Sequence, residues 1–332
     1  MAGAGVVTWA AAENEAVVAA ARAGDERAFV ELTSPHRRAL HVHCYRLLGS
    51  LHDADDAMQE ALLRAWRGIE RYEPRAPVRA WLYRITTNVC LRMLEHRARD
   101  RAIAIDAQLE PYPDPVAPAA SEPAARVESD EAVGLAFIAA MQLLTPKQRV
   151  VLVLRDVLDW SAREVAELLG DSEAAVNSAV QRARARMATE HREGSLARAH
   201  RPTSADVEAL VMQRFQDAWE AVDIDGILAL LTADALLTMP PERMRFEGAG
   251  AIAEFFATVP LDGRLDRIRL VPRRANGQPA LAAYAENPGT GAHEAYGVMV
   301  FAIDGERIAG ITGFPRQLEL FGRLGLPAEI TH

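Results

Sequence analysis

Residues 161–187 read SAREVAELLGDSEAAVNSAVQRARARM, and two helices joined by a tight turn are written into that stretch. Ser161 and Glu164 stand at capping-box spacing, where a hydroxyl and a carboxylate satisfy each other's backbone donors. Val165, Leu168 and Leu169 make the apolar side of the first helix, and Gly170 is placed to end it. Ser172 caps a second helix to about Ala188, with an apolar stripe of Ala175, Val176, Ala179 and Ala183, and Met187 one turn further on. A short helix, a glycine-bearing turn and a second helix with exposed polar residues read as helix-turn-helix. On that second helix Glu173, Asn177, Ser178, Gln181, Arg182, Arg184 and Arg186 are available for groove contacts. Arg182, Arg184, Arg186, Arg192, Arg198 and Arg201 form a local basic run. On spacing alone, an ordinary helical hairpin with a charged face stays open as the alternative. Upstream, Thr145-Pro146 opens a further helix by cap and first-turn proline.

The whole chain is less basic than this motif. Its 332 residues carry a net charge of -9, which argues against a protein that grips DNA unaided. DNA reading then needs local cations or a partner that supplies phosphate contacts. The length accommodates two or three domains. No run approaches the roughly 18 apolar residues of a membrane helix. The Ala-rich start, interrupted by Glu13, Asn14 and Glu15, lacks the features of a signal peptide, so a cytoplasmic protein is expected. The two cysteines, Cys44 and Cys90, read as small buried apolar residues, and no Cys/His cluster suggests a metal.

Four stretches differ in character. Residues 15–102 are helical in pattern, 103–132 a linker, 133–196 helical again, and 205–332 helices followed by alternating strands. The linker holds Pro111, Pro113, Pro115, Pro118 and Pro123 among acidic residues, and is expected to be extended and mobile. In the first block, Asp53 to Gly68 is one amphipathic helix, capped by Asp53, with Ala54, Ala57, Met58, Ala61, Leu62, Ala65 and Trp66 inward. Its opposite face carries Asp55, Gln59, Glu60, Arg64 and Arg67, either a solvated face or a docking face. A second helix begins near Pro77, with Val78, Trp81, Leu82, Ile85 and Val89 inward. Arg79, Tyr83, Arg84, Thr87, Asn88 and Arg92 are placed off that stripe. Cations, an aromatic and an amide on one side suit unpaired DNA.

Three segments together resemble a known family. His52-Asp-Ala-Asp-Asp-Ala-Met-Gln-Glu-Ala-Leu-Leu-Arg-Ala-Trp66 is similar to the core-polymerase-binding helix of sigma factors. Arg79-Ala-Trp-Leu-Tyr-Arg-Ile-Thr-Thr-Asn88 resembles the adjoining promoter-melting and minus-ten helix. Leu144-Thr-Pro-Lys-Gln-Arg149, Glu164-Val-Ala-Glu-Leu-Leu-Gly170 and Ala175-Val-Asn-Ser178 resemble the minus-thirty-five reader. The short linker resembles that of the extracytoplasmic-function group, which lacks the additional melting domains of housekeeping sigma factors. The resemblance implies a non-enzymatic factor that binds core RNA polymerase, through its beta and beta-prime subunits, together with promoter DNA. Asp53, Asp56, Gln59 and Glu60 would then dock on the polymerase. Arg79, Trp81, Tyr83, Arg84 and Asn88, with the loop Ile69 to Ala76, would hold the opened minus-ten element. Ser172, Glu173, Asn177, Ser178, Gln181, Arg182 and Arg184 would read the minus-thirty-five element.

The C-terminal segment begins with a helical stripe of Val207, Leu210, Val211, Phe215, Ala218 and Trp219. Short helices over Ile224–Leu231 and Ala249–Ala257 follow. Asn276-Gly277 sits between Ile268–Arg274 and Pro279–Glu286, and Asp304-Gly305 between Gly297–Ile303 and Ile308–Phe314. Both dipeptides are hairpin-turn signals because they accept positive φ. An α+β cone with a curved antiparallel sheet is expected. Asp234-Ala-Leu-Leu-Thr-Met239 with Phe246-Glu-Gly-Ala-Gly-Ala-Ile252 resembles the SnoaL-like, NTF2-like fold. Gly313-Phe-Pro315 and Leu320-Phe-Gly-Arg-Leu-Gly-Leu-Pro327 resemble the tails of sigma factors with that appendage. The chain is therefore expected to be multidomain: two all-α sigma modules and an NTF2-like cone. The resemblance implies a modulating role through docking on the sigma modules, although the DGGG-type loop of one such subgroup is not found here. Asp234, Tyr284, His293 and Tyr296 are candidate pocket residues by type. No cofactor is expected; a small-molecule ligand and an anti-sigma protein are the further partners considered. Two other readings stay open: a ligand-sensing helix-turn-helix regulator, and an NTF2-like isomerase or hydrolase fused to a DNA-binding module.

Overall fold

The computed structural model describes residues 15–73, 77–99, 109–114, 134–192, 204–240, 242 and 244–331. They fall into two compact units, one within residues 1–48 and 52–99, the other within 49–51 and 100–332.

In the first unit, helices α1 (Glu15–Arg22), α2 (Glu26–Thr33), α3 (Arg37–Leu48), α4 (Leu51–Gly68) and α5 (Val78–Arg99) follow one another. Asp25 caps α2, accepting from the amides of Arg27 and Ala28. The α4 helix starts two residues earlier than expected, at Leu51, so Asp53 lies inside its first turn and is not its cap. There it forms an ion pair with Arg97 of α5. Ala54, Ala57, Met58, Ala61 and Ala65 of α4 are buried as their spacing requires, while Trp66 packs edge-on to Phe29 at 5.1 Å. The α5 helix is buried more widely than its expected stripe, because it packs on α3 along a second line. Tyr83 and Thr87, placed off the stripe by sequence, are both in the core. Cys44 and Cys90 are free and buried, and their mutual hydrogen bond, with burial, pushes the Cys44 thiol well up.

The second unit contains α6 (Leu135–Met141), α7 (Pro146–Leu152), a π-helical turn Val153–Val157, α8 (Ala162–Leu169) and α9 (Glu173–Arg192). The expected capping box of Ser161 with Glu164 is present, and the expected cap Thr145 forms a second such box with Gln148. The Ser161 hydroxyl and amide bonds hold the Glu164 carboxyl below its usual range. Gly170 ends α8 at φ 69°, where a β-carbon would be strained. The α9 helix buries Val176, Ala179, Val180 and Ala183.

The same unit holds α10 (Ala205–Glu220), α11 (Ile224–Leu230), β1 (Leu231–Met239), β2 (Met244–Glu247), α12 (Ala249–Thr258), β3 (Ile268–Ala275), β4 (Gln278–Glu286), β5 (His293–Asp304), β6 (Arg307–Pro315), α13 (Glu319–Arg323) and β7 (Glu329–Ile330). The strands form one sheet in the order β2-β1-β6-β5-β4-β3, with β7 on the end of β5. All described pairings are antiparallel save β1 with β6, so the sheet is mixed where a purely antiparallel one was expected. Helix α10 lays Val211, Met212, Phe215 and Trp219 on the sheet beside Phe256 and Phe301. Leu210, assigned to that stripe by sequence, is 47% exposed, and Met212 takes the inward place one step round the helix. Asn276 and Gly277 both adopt positive φ in the β3–β4 turn, as expected of a type I′ hairpin. In the β5–β6 turn Asp304 still pairs with Arg307, so the two loop residues are Gly305 and Glu306, one position later than the expected dipeptide.

Candidate functional site

Three places in the chain carry groups suited to recognition. The first is the α4–α5 region. Asp56 and Gln59 project from α4 into solvent, and Glu60 is half-buried, 2.6 Å from Arg64 one turn on. Asp53 differs from these three, because its carboxylate is engaged by a cation of another helix, Arg97 of α5. On α5, Arg84 is exposed and Asn88 half-buried. Trp81 is half-buried, its ring 5.0 Å from that of Tyr72. Tyr83 is not available to stack on a base. Its ring lies 5.1 Å from His43 inside the core, and the Arg79 guanidinium sits 5.4 Å from the ring centroid. The expected loop Ile69 to Ala76 lies in part outside the described residues, at 74–76.

Behind this face is a buried polar group that sequence reading did not single out. His43 Nε2 is 2.8 Å from the Thr87 hydroxyl. Burial first, and the neighbouring Arg46 cation second, push its pKa down to about 3, so the ring is neutral. The signal was hidden because His43 stands among apolar residues of α3 with no motif around it.

The second place is the exposed face of α9. Glu173, Asn177, Ser178, Gln181, Arg182 and Arg186 are all exposed on it. Ser172 spends its hydroxyl on the amide of Ala175 as the helix cap. Arg184 makes a two-pronged salt bridge to Asp156, at 2.9 and 2.7 Å. That carboxylate raises the Arg184 pKa, so the cation is held as well as paired. Arg198 and Arg201 of the basic run lie outside the described residues.

The third place is the C-terminal cone. A cavity of about 220 Å³ opens between α10, α12 and the sheet, walled by Trp219, Leu237, Phe255, Phe256, Met299 and Phe314. Of the four candidate pocket residues only Tyr296 lines it. Asp234 is exposed on β1. Tyr284 points to the opposite side of the sheet, against Phe321 at 5.0 Å, with its hydroxyl donated to the Pro327 carbonyl. His293 is buried where β5 pairs with Ile330. Residue type suggested these three, but the alternation of the strands turns them elsewhere.

At the far end of the cone the β3–β4 hairpin holds part of the linker. Pro113 bridges to Ala275, and Asp114 N–H donates to the Arg274 carbonyl at 3.2 Å. Asn276 and Tyr112 exchange two bonds: the Asn276 amide donates to the Tyr112 carbonyl, and the Tyr112 amide to Asn276 Oδ1. Arg274 also reaches the buried Glu208 at 2.9 Å. Residues 112–114 of the expected linker are therefore bonded to the hairpin through one isolated bridge and the hydrogen bonds around it. Its positions 103–108 and 115–132 lie outside the described residues. Gln278, next along the hairpin, accepts from the Leu135 amide at the start of α6 and donates to the Phe301 carbonyl. Pro113 lacks an N–H, which suits a one-residue bridge beside an irregular segment. Among the described residues no group of three or more potential metal ligands occurs, and no helix is long and apolar enough to cross a membrane.

Three family models match the chain: Sigma-70 region 2 over residues 32–100, Sigma-70, region 4 over 134–187, and a SnoaL-like domain over 212–311. The ECF RNA polymerase sigma factor SigG of Mycobacterium tuberculosis is 40% identical over 331 residues, spanning 93% of this chain and 86% of that protein. SigJ of the same species, also an ECF RNA polymerase sigma factor, is 34% identical over 204 residues, 61% of this chain and 62% of its own. The crystal structure of M. tuberculosis SigJ covers 90% of this chain and 99% of its own, with a TM-score of 0.62 at 24% identity, a likeness of fold.

Proposed function

The chain belongs to the extracytoplasmic-function sigma factors of RNA polymerase, and from that premise we propose how its parts divide the work. It associates with core RNA polymerase and directs promoter-specific transcription initiation. The polymerase is the docking partner of α4, with Asp56, Gln59 and Glu60 as the contacting edge. Arg84 and Asn88 of α5, with Trp81 beside Tyr72, face the melted minus-ten strand. Tyr83 supports that face from inside rather than touching bases. The exposed side of α9 enters the major groove at the minus-thirty-five element, with Asn177, Gln181 and Arg182 as the readers. The acidic total fits a factor whose phosphate contacts are shared with a larger enzyme, working in the cytoplasm.

The observation that carries this reading is the order of parts in one chain. A docking helix, a second helix with a cation and an amide outward, and a doubly capped helix-turn-helix follow one another. A stand-alone regulator has no use for the first two. Run-off transcription with purified core polymerase tests it. Promoter-dependent transcripts are expected with polymerase, and little duplex binding by the free chain. Tight duplex binding without polymerase, with no transcript, would point to the regulator instead.

The C-terminal cone modulates this activity by holding the linker. The supporting observation is the hairpin 274–278, whose bonds reach residues 112–114 and the first residue of α6. A promoter complex requires the linker to set the distance between two DNA readers, so a fixed linker restricts the readers' reach. Deleting residues from about 202 onward is expected to change promoter output without removing polymerase binding. Identical output from the truncated and full chains would exclude modulation.

A further inference from the structure

The cavity of the cone has no part in the transcriptional roles proposed for the chain, and its lining is mostly apolar. Its lining includes Met239, Met244, Met299 and five aromatic rings besides aliphatic side chains. Trp219 turns only its ring to the space, because its indole N–H is donated to the Ile268 carbonyl at 3.1 Å. Among the described lining residues there is no aspartate, histidine, cysteine, serine or lysine, and the one carboxylate, that of Glu242, is exposed to solvent. Among the described residues the ionisable or hydroxyl-bearing side chains of the lining are Tyr296, Glu242 and Arg316.

The mouth is shaped for a ligand with an apolar body. Val259 and Met244, both lining residues, are 53% and 37% exposed, an unusual outlay of apolar surface beside an opening. Arg316 is exposed at the same rim and adopts φ 59°, a left-handed conformation that costs a non-glycine residue about 1–2 kcal/mol. Its amide is anchored to the Tyr296 carbonyl at 3.0 Å, which fixes the start of this side chain at the rim. Such local strain gathers where a side chain must be aimed. A volume of about 220 Å³ lies under the range of drug-sized sites and holds a body of roughly seven to ten heavy atoms, if a water occupies about 30 Å³.

We propose that the cone binds, without turnover, a compact apolar carboxylic acid: the hydrocarbon body fills the cavity and the carboxylate meets Arg316 at the mouth. The methionines adapt to the outline of the body, and the aromatic walls favour a ring or a branched chain over a long straight one. Tyr296, half-buried at the rim, donates a hydroxyl to the second carboxylate oxygen. The site is separate from the linker-holding hairpin, so this binding stands or falls independently of the transcriptional reading.

The test is calorimetric titration of the full chain with three soluble probes sharing one body: 2-naphthoate, 2-naphthol and 2-naphthylmethylammonium. Saturable one-site binding is expected, tightest for the naphthoate. Arg316→Ala should reduce naphthoate affinity three- to tenfold and leave naphthol nearly unchanged. Val259→Trp, a change at an exposed position, should plug the mouth and weaken all three probes. Absence of saturable heat with every probe would overturn the proposal. So would tightest binding of the ammonium probe, which would make Glu242 the head-group partner, or full affinity in the Val259→Trp chain.

Discussion

The backbone N–H of Gly277 donates to both carboxylate oxygens of Asp114, at 3.0 and 2.9 Å, across 163 positions of sequence. Asp114 is mostly shielded, its side chain 20% exposed, and the Arg274 guanidinium stands nearby at 3.9 Å. A charge-assisted pair of this kind contributes about 1–2 kcal/mol, and it adds to the Tyr112–Asn276 bonds that hold the same segment. Asp114→Ala is therefore expected to loosen residues 112–114 from the hairpin while leaving the cone folded. Hydrogen exchange measures this directly: protection of the Asn276 and Tyr112 amides should fall about tenfold or more, and that of β5 should not change. Equal protection in both chains would mean that the linker is held by other bonds.

A second expectation concerns pH. His43 has a folded-state pKa of about 3 against an ordinary 6.5. The unfolded chain therefore takes up this proton first as pH falls, so the folded state is fully favoured above about 6.5 and loses stability down to about 3. Inside that window the slope approaches about 1.4 kcal/mol per pH unit. Urea unfolding of the α1–α5 unit at pH 7 and pH 5.5 reads it, and the midpoint should be lower at the acid pH. His43→Gln keeps a partner for the Thr87 hydroxyl and removes the titration, so its midpoint should depend less on pH. An unchanged pH dependence would assign the effect to other groups.

How much of this was legible in the sequence depends on how local the causes are. Ser161, Glu164, Gly170 and Thr145 act within four residues of themselves, and their caps and turns stand where spacing puts them. Asn276-Gly277 is equally local, and the β3–β4 turn follows it. Tyr83 was misplaced because its environment comes from α3, some forty positions away, which buries a second line along α5. The cavity escaped notice for the same reason. Its walls run from Trp219 to Phe314, and strand alternation, not residue type, decides that Tyr296 faces it while Tyr284 does not. The docked linker was the opposite case. Its prolines and acids argued for freedom, and the distant residues 274–277, through Arg274, Asn276 and the Gly277 amide, explain why residues 112–114 are bound.

Val222 ends α10 at φ 54°, with its amide bonded to the Trp219 carbonyl and the next amide, of Asp223, to the Ala218 carbonyl at 2.8 Å. A β-branched residue is costly in that left-handed position, which glycine adopts freely. Val222 is 37% exposed, so little packing is lost on its removal. Val222→Gly is expected to stabilise the cone by about 1 kcal/mol. A rise of a few degrees in the melting temperature would agree, and a fall would mean that the valine methyls contribute more than the backbone strain costs.

On α4 the expected docking residues separate into two kinds. Asp53 holds Arg97, and Asp53→Ala leaves that half-buried cation without its carboxylate, at a cost of roughly 1–2 kcal/mol in the stability of the unit. Asp56 and Gln59 are exposed and removable without such a loss. The double change Asp56→Ala with Gln59→Ala should weaken core-polymerase binding at unchanged melting temperature. Asp53→Ala should lower the melting temperature whatever it does to binding. A pull-down with core polymerase beside thermal unfolding separates the two, and full binding by the double variant would remove this edge from the interface.

The two arginines on α9 should likewise behave differently. Arg182 is exposed with no ion pair among the described residues, whereas Arg184 is clamped to Asp156 of the preceding π-helical turn. A free guanidinium can meet a guanine edge two-pronged, while one already paired two-pronged to a carboxylate would first have to surrender that pair. Arg182→Ala is therefore expected to reduce transcription from a promoter with the upstream element about tenfold, and to spare a promoter lacking it. Arg184→Ala should cost less on the same template. Transcription assays on the two templates decide it. A larger loss for Arg184→Ala than for Arg182→Ala would mean that the Asp156 pair opens on DNA and that Arg184 is the reader.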